Sequence, residues 1–322
     1  MLFLIFINDI NTCIKDSFIS CFADDTRIKA AISTTSDVSK LQDDLNRTVT
    51  WSIENNMELH PSKFEYVNHS TGEGRLLKSL PFASEFYSYT APDGSLITPV
   101  DEVKDLGILI SSNLSWGPHI STITDSARKM CNWIFSVFKT RDKLTMLTLY
   151  KCLVRSRLEY CCPLWSSNKV EDIIKLETIQ RFFTSKVEGC KDFTYHERLR
   201  ILNLMSLQRR RERYTVLHMF KILHELAPND INITFTNSDR RGVCANVPTL
   251  SRSAKPRCQS LYDSSFAVYA PRLWNTLPKR IREEETFTKF KAALTRHLLT
   301  LPDQPPIAGV ASSNSMLHLV NL

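Results

Sequence analysis

Glycine is scarce in this chain. Eight glycines stand against 14 prolines in 322 residues, which argues against a nucleotide enzyme built on a glycine-rich phosphate loop, since such loops need several closely spaced glycines. No C-x-x-C pair occurs among the nine cysteines, and their odd number and scatter fit reduced thiols rather than a disulfide framework. The adjacent pair Cys161–Cys162 suits neither a zinc knuckle nor an easy disulfide. None of the eight histidines is spaced with cysteine as a zinc site. A long hydrophobic run is missing as well. Met1–Ile7 is apolar, but it has no basic leader and no small-residue cleavage site, and Asn8–Asp9 interrupt it. That stretch is too short to cross a membrane. The expectation is an intracellular protein, nuclear or cytoplasmic, not secreted, with no membrane and no zinc site. Internal repeats are absent.

What is present describes an ordinary globular chain: 43% hydrophobic and 23% charged residues, enough to bury one good core or two smaller ones. The net charge of +7 and pI near 8.9 favour an acidic partner such as nucleic acid. Hydrophobic periodicity changes along the sequence. Up to about residue 117 short apolar runs alternate with turn signals, interrupted by one amphipathic helix with Val38, Leu41, Leu45, Val49 and Ile53 on a face and Ser36–Asp37 at its start. Phe64–Asn68 reads as a short strand, and Val103–Ile110 as another. From residue 118 the period is helical: Ile120, Ile123, Ala127, Met130, Ile134 and Val137 form one stripe, Leu144 to Leu158 a second, and Ile173 to Phe183 a third. A fourth helix is expected over 204–226, an irregular polar stretch over 228–258, a last helix over 286–299, and a disordered tail over 301–322.

The most informative local feature is Phe22-Ala23-Asp24-Asp25. A strand-like run from Ser17 leads into two adjacent carboxylates, and Thr26–Ile32 leads away. Adjacent aspartates in a hairpin turn are common turn chemistry. They are also how a palm-type polymerase offers oxygen ligands to Mg²⁺.

Several further segments, in order, resemble the reverse transcriptase of a non-LTR (LINE-type, jockey-like) retrotransposon, from just after its Pro-Gln-Gly motif through the thumb and C-terminal region. Leu2–Ile10 resembles the helix after that motif, and Phe22–Asp25 the metal-binding motif. Trp51 through Asn56-Met57-Glu58-Leu59 and Lys63 resembles the next palm motif, with His60 where the family usually has Asn. Lys104-Asp105-Leu106-Gly107-Ile108 resembles the primer-grip hairpin. Leu158–Trp165 and Leu176–Phe182 resemble thumb and post-thumb segments, and Ala270–Pro278 with Phe290–Lys291 a C-terminal signature. The resemblance covers about residues 1–300.

The resemblance implies an α+β chain: a partial palm of β-hairpins plus helix (1–117), a helical thumb (118–190) and a post-thumb region (191–300). It implies RNA template and DNA primer as partners and Mg²⁺ as cofactor. Asp24 and Asp25 become the metal-binding and catalytic carboxylates, Lys63 the group placed to stabilise departing pyrophosphate, and Leu106–Gly107 the primer grip. The family's first palm carboxylate and its fingers would precede Met1, so the chain alone is expected not to polymerise. The basic residues Lys139, Arg141, Lys143, Lys151, Arg155 and the run Arg209, Arg210, Arg211 and Arg213 are read either as a phosphate-binding face or as a solvated helix surface. Trp133, Tyr150, Trp165 and Phe183 are read as core packing ahead of base stacking. A helical interaction protein derived from a mobile element, catalytically dead, is the alternative.

Overall fold

The computed structural model describes residues 2–69, 88–229, 233–236, 247–250 and 259–308. The architecture is α+β, mostly helical with small two-stranded antiparallel sheets. The chain falls into two compact units, Met1–Leu114 and Ser115–Leu322.

The first unit begins with α1 (Leu2–Ile7) and a 3₁₀ segment, Asn8–Cys13. Strands β1 (Phe18–Phe22) and β2 (Asp25–Lys29) pair as an antiparallel hairpin. Helix α2 (Thr35–Glu54) is capped two residues before the expected Ser36–Asp37. Thr34 is the N-cap, its hydroxyl accepting from Asp37 N–H, while the Asp37 carboxylate accepts from Thr34 N–H. This reciprocal pair satisfies two of the donors left open at the helix entry. Trp51 of α2 packs with Ile7 and Ile10, and Asp44, fully buried, ties the helix to the preceding loop. Its two oxygens accept from the backbone N–H groups of Lys15 (2.9 Å) and Asp16 (3.1 Å), and Arg47 pairs with it. Burial by itself would raise the Asp44 carboxyl, but the Lys15 N–H, the adjacent Ser17 hydroxyl, Arg47 and the Asp16 N–H outweigh it and hold the group at about 2.

The turn signal Pro92-Asp93-Gly94 joins β3 (Tyr89–Thr90) to β4 (Leu96–Ile97), with the Asp93 carboxylate accepting from Ser95 N–H. The stretch 103–110, a strand by its apolar pattern and part of a hairpin by the resemblance, is a hairpin, β5 (Glu102–Asp105) and β6 (Ile108–Ser111). Leu106 and Gly107 both sit at positive φ, 44° and 85°, and reverse the chain where alternating apolar residues suggested continuity. Phe64–Asn68 forms no strand; one bridge joins Tyr66 to Pro99. The turn signal at Thr71–Gly74 lies outside the described residues.

The second unit is helical. Helix α3 (Gly117–Val137) packs against α7 (Val170–Thr184), as the two stripes predict. Between them run α4 (Lys143–Leu149), a wider π segment (Tyr150–Arg155), α5 (Ser156–Glu159) and α6 (Cys162–Trp165). Next come α8 (Tyr195–Ile201) and α9 (Leu207–Leu223). In the stretch expected to be irregular, β7 (Ile233–Thr236) and β8 (Val247–Leu250) pair antiparallel.

Helices α10 (Gln259–Ser264), α11 (Phe266–Thr276), α12 (Lys279–Arg282) and α13 (Phe287–Thr300) close the unit. Helix α11 was not expected from the sequence, and Pro271 inside it removes an intrahelical N–H. Here burial of Tyr269, Leu273 and Trp274 outweighs the lost bond. Phe220 of α9 stacks on Phe290 of α13 at 4.3 Å between centroids, and Trp274 lies 5.4 Å from the same ring.

Of the tail expected to be disordered over 301–322, residues 301–308 are held in place, and 309–322 lie outside the described residues. Asp303 accepts from Ser206 N–H at 2.7 Å, and the Pro302 carbonyl accepts from Arg209 at 2.9 Å. Pro305 and Pro306 are buried. Among the described residues no helix is long and apolar enough to cross a membrane.

Candidate functional site

The acidic hairpin has the form the sequence suggested. Phe22 pairs with Asp25, so Ala23 and Asp24 make a two-residue turn, with Ala23 at φ 53°. Asp24 and Asp25 are both exposed at the tip. Arg27 on β2 pairs with Asp105, at the start of the Leu106–Gly107 turn. The structure thus brings the acidic hairpin beside the second hairpin. It does not bring Lys63 into that arrangement by any bond: Lys63 ends a 3₁₀ turn, Pro61–Lys63, and is exposed. Asp16 is engaged elsewhere, 3.7 Å from Arg47.

Two Mg²⁺ ions need more oxygen ligands than one adjacent carboxylate pair supplies. Among the described residues no group of three or more His, Cys, Asp or Glu could hold a metal ion. The donor set of Asp24 and Asp25 therefore does not by itself fit a two-metal centre. The rest of the hairpin is unusually bare. Phe18 and Phe22, on one face of β1, are 75% and 66% exposed, and among the described residues β1 hydrogen-bonds to β2 alone. Apolar residues on an open strand edge are a surface that another strand or chain covers readily.

The basic run Arg209–Arg213 requires correction. It is neither a phosphate-binding face nor a solvated one: Arg209, Arg211 and Arg213 are buried, and Arg210 is half-buried. Helix α9 is enclosed on nearly every side, so its guanidinium groups spend their donors internally. Arg210 makes a two-pronged pair with Glu159, its Nη2 lying 2.8 Å from Oε2, and also donates to the Tyr214 hydroxyl at 2.9 Å. Arg213 donates to Thr295 Oγ1 at 3.1 Å. Arg209 reaches the Pro302 carbonyl and lies 3.6 Å from Glu212. Two nitrogens of Arg211, Nε and Nη1, are buried without a hydrogen-bond partner, in the field of Glu177.

The earlier basic residues divide. Arg141 is a helix cap: it donates to the carbonyls of Phe135 (2.9 Å), Phe138 and Thr140 (2.9 Å) at the end of α3, which uses most of its fork. Arg155 lies 3.7 Å from Glu159. Lys143 is exposed but donates to the Ile201 carbonyl at 2.6 Å. Lys139 and Lys151 are exposed, as are Arg181, Lys186 and Lys191 farther on.

Of the four aromatics expected in the core, Tyr150, Trp165 and Phe183 are fully buried. Trp133 is not; it is 50% exposed, and Val137, expected on the core stripe, is 52% exposed. The buried face of α3 runs through Ile120, Ala127, Cys131 and Ile134. Trp133 falls off that line at 100° per residue, a signal legible in the sequence.

A buried polar chain lies behind the helices. The Tyr150 hydroxyl donates to Gln180 Oε1 (2.6 Å), and Gln180 Nε2 donates to the Tyr195 hydroxyl (3.0 Å) and to the Met205 carbonyl (3.1 Å). Tyr195 in turn donates to Glu177 Oε2 (2.5 Å), whose Oε1 accepts from Gln208 N–H (2.7 Å). Burial pushes the Glu177 carboxyl up to about 7, against the pull of Tyr195, the Gln208 N–H and Arg211, and with a further push from Asp303. A shifted carboxyl of this kind can mark a catalytic acid. Here both its oxygens are occupied by protein donors and it is fully buried, so it acts as a joint between α7, α8 and the start of α9.

No family model matches the chain, and no solved structure matches it. It is similar to an uncharacterized protein of Caenorhabditis elegans, 26% identical over 129 residues, covering 39% of this chain and 63% of that protein. The chain thus spans less than two thirds of that relative.

Proposed function

We propose that this chain carries the metal-binding hairpin and helical thumb of an RNA-directed DNA polymerase of the non-LTR retrotransposon type, binding an RNA template and a DNA primer. The observation that supports it is the Ala23–Asp24 turn, which presents Asp24 and Asp25 to solvent beside a second hairpin with Leu106 and Gly107 at its tip. Mg²⁺ would supply activation of the primer hydroxyl and charge neutralisation, but only with a further carboxylate that Asp24 and Asp25 do not provide. The bare edge and exposed phenylalanines of β1 suit the addition of a strand bearing one. With Mg²⁺, an RNA template and an annealed DNA primer, the chain alone is expected to give no extension. Extension that vanishes in Asp24→Asn would overturn the incompleteness of this donor set.

A catalytically inactive nucleic-acid-binding protein is the second reading. It is favoured by the lack, among the described residues, of a third metal-ligating group near the pair and by the exposed lysines of the helical unit. Both readings share one requirement, binding to RNA–DNA hybrid that weakens as salt rises. Filter binding that detects no such affinity would remove both and leave an interaction role.

A further inference from the structure

We propose that the outward face of α3 is a single-stranded nucleic-acid platform, on which Trp133 stacks a base while Lys129, Lys139 and Arg157 hold the flanking phosphates. The proposal rests on the nucleic-acid-binding reading above and deepens it by naming the strand form and the contact residue.

Trp133 points away from the core stripe of α3 and is half exposed, unusual for a residue that buries 150–250 Å² when packed. Its position is defined all the same. Phe138 meets it edge-on at 6.4 Å between centroids, and the Phe138 carbonyl is tied down by Arg141. Lys129 lies one turn before Trp133 on the same face and is exposed. Lys139 follows just past the helix end, also exposed. Arg157 is held along the same line, donating to Ser126 Oγ at 3.2 Å, with Ser126 seven residues before Trp133. At 1.5 Å per residue Lys129 lies about 6 Å and Ser126 about 10 Å before Trp133, so with Lys139 the cations flank the indole over about 20 Å, the reach of a few nucleotides. Asp125, the acid on this face, sits at its far end, about 12 Å from Trp133.

Unpaired strands are bound by positive charge that follows the phosphates together with aromatic side chains on which bases stack, because every base offers a π-face. A duplex hides those faces. The charge argues against an acidic-poor apolar protein partner, and a protein partner would show as failure of the oligonucleotide arm.

The test uses the full chain and an oligothymidylate. Trp51, Trp165 and Trp274 are buried and Trp116 is half-buried, so the Trp133 share of the solvent-quenchable emission is read as the difference between the parent and Trp133→Phe. Bound oligonucleotide is expected to shield it from iodide. Trp133→Ala is expected to weaken binding about tenfold with the salt dependence unchanged, while Trp133→Phe binds nearly as the parent. Lys129→Glu is expected to weaken binding and flatten the salt slope. Circular dichroism and melting of each variant confirm folding, which these exposed positions leave intact. If the parent binds but Trp133→Ala binds equally well, the platform is wrong and the nucleic-acid reading stands. If the parent binds no oligonucleotide and no RNA–DNA hybrid at low salt, both fall.

Discussion

Arg210→Ala is expected to destabilise the helical unit by about 3–5 kcal/mol, because it strands Glu159 in the interior without its two-pronged partner. The Glu159 side chain is only 9% exposed, and the Tyr214 hydroxyl and Arg155 that remain beside it, at 3.4 and 3.7 Å, cannot replace two charge-assisted bonds. Denaturant unfolding monitored by helicity would read the loss. Nucleic-acid affinity of the surviving folded fraction should be unchanged. If Arg210→Ala instead keeps full stability and loses affinity for RNA–DNA hybrid, the run belongs to a phosphate-facing surface after all. Arg210→Lys should recover only part of the loss, since an ammonium cannot make the parallel fork to a carboxylate.

The second large effect concerns pH. Glu177 has a folded pKa of about 7 against an ordinary 4.5, so the folded state holds its proton more tightly than the unfolded chain does. Stability from this group is fully present below pH 4.5 and is lost as pH rises through about 7. The size, from 1.36 kcal/mol per pKa unit, is on the order of 3 kcal/mol between pH 4.5 and pH 8. Glu177→Gln should remove that decline: the parent and the variant diverge steadily across the interval, with the variant gaining on the parent at alkaline pH. Parallel stability–pH curves would show that Glu177 is solvated in the folded protein. The amide keeps an acceptor for the Gln208 N–H, which makes it the appropriate replacement.

These two sites show where sequence reading stopped. The acidic hairpin was legible because everything that makes it is local: an apolar run, a two-residue turn, a second run. The helices of the second unit were legible for the same reason, with α3, α7, α9 and α13 placed close to their expected spans by periodicity and caps. Local chemistry also misled at three points. The apolar pattern of Val103–Ile110 concealed the Leu106–Gly107 reversal that the resemblance alone suggested, no helix was expected at α11, and the terminal position of residues from Leu301 suggested a loose tail where 301–308 are held. At α11 and at residues 301–308 contacts distant in sequence decided the matter, whereas the Leu106–Gly107 reversal is set by the local backbone, at positive φ. For the 301–306 segment it was Asp303 on Ser206 N–H, 97 residues apart.

By itself the sequence determined the alternation of elements, the exposed carboxylate pair and the net basic charge, since each depends on residues near one another or on a sum. Only the tertiary structure decided which charges are available. Four arginines in five residues read as a surface because burying a guanidinium is costly in isolation. The fold supplied Glu159, Thr295 and the Pro302 carbonyl from elsewhere in the chain, turned that run inward, and left an isolated tryptophan with its lysine on the outside.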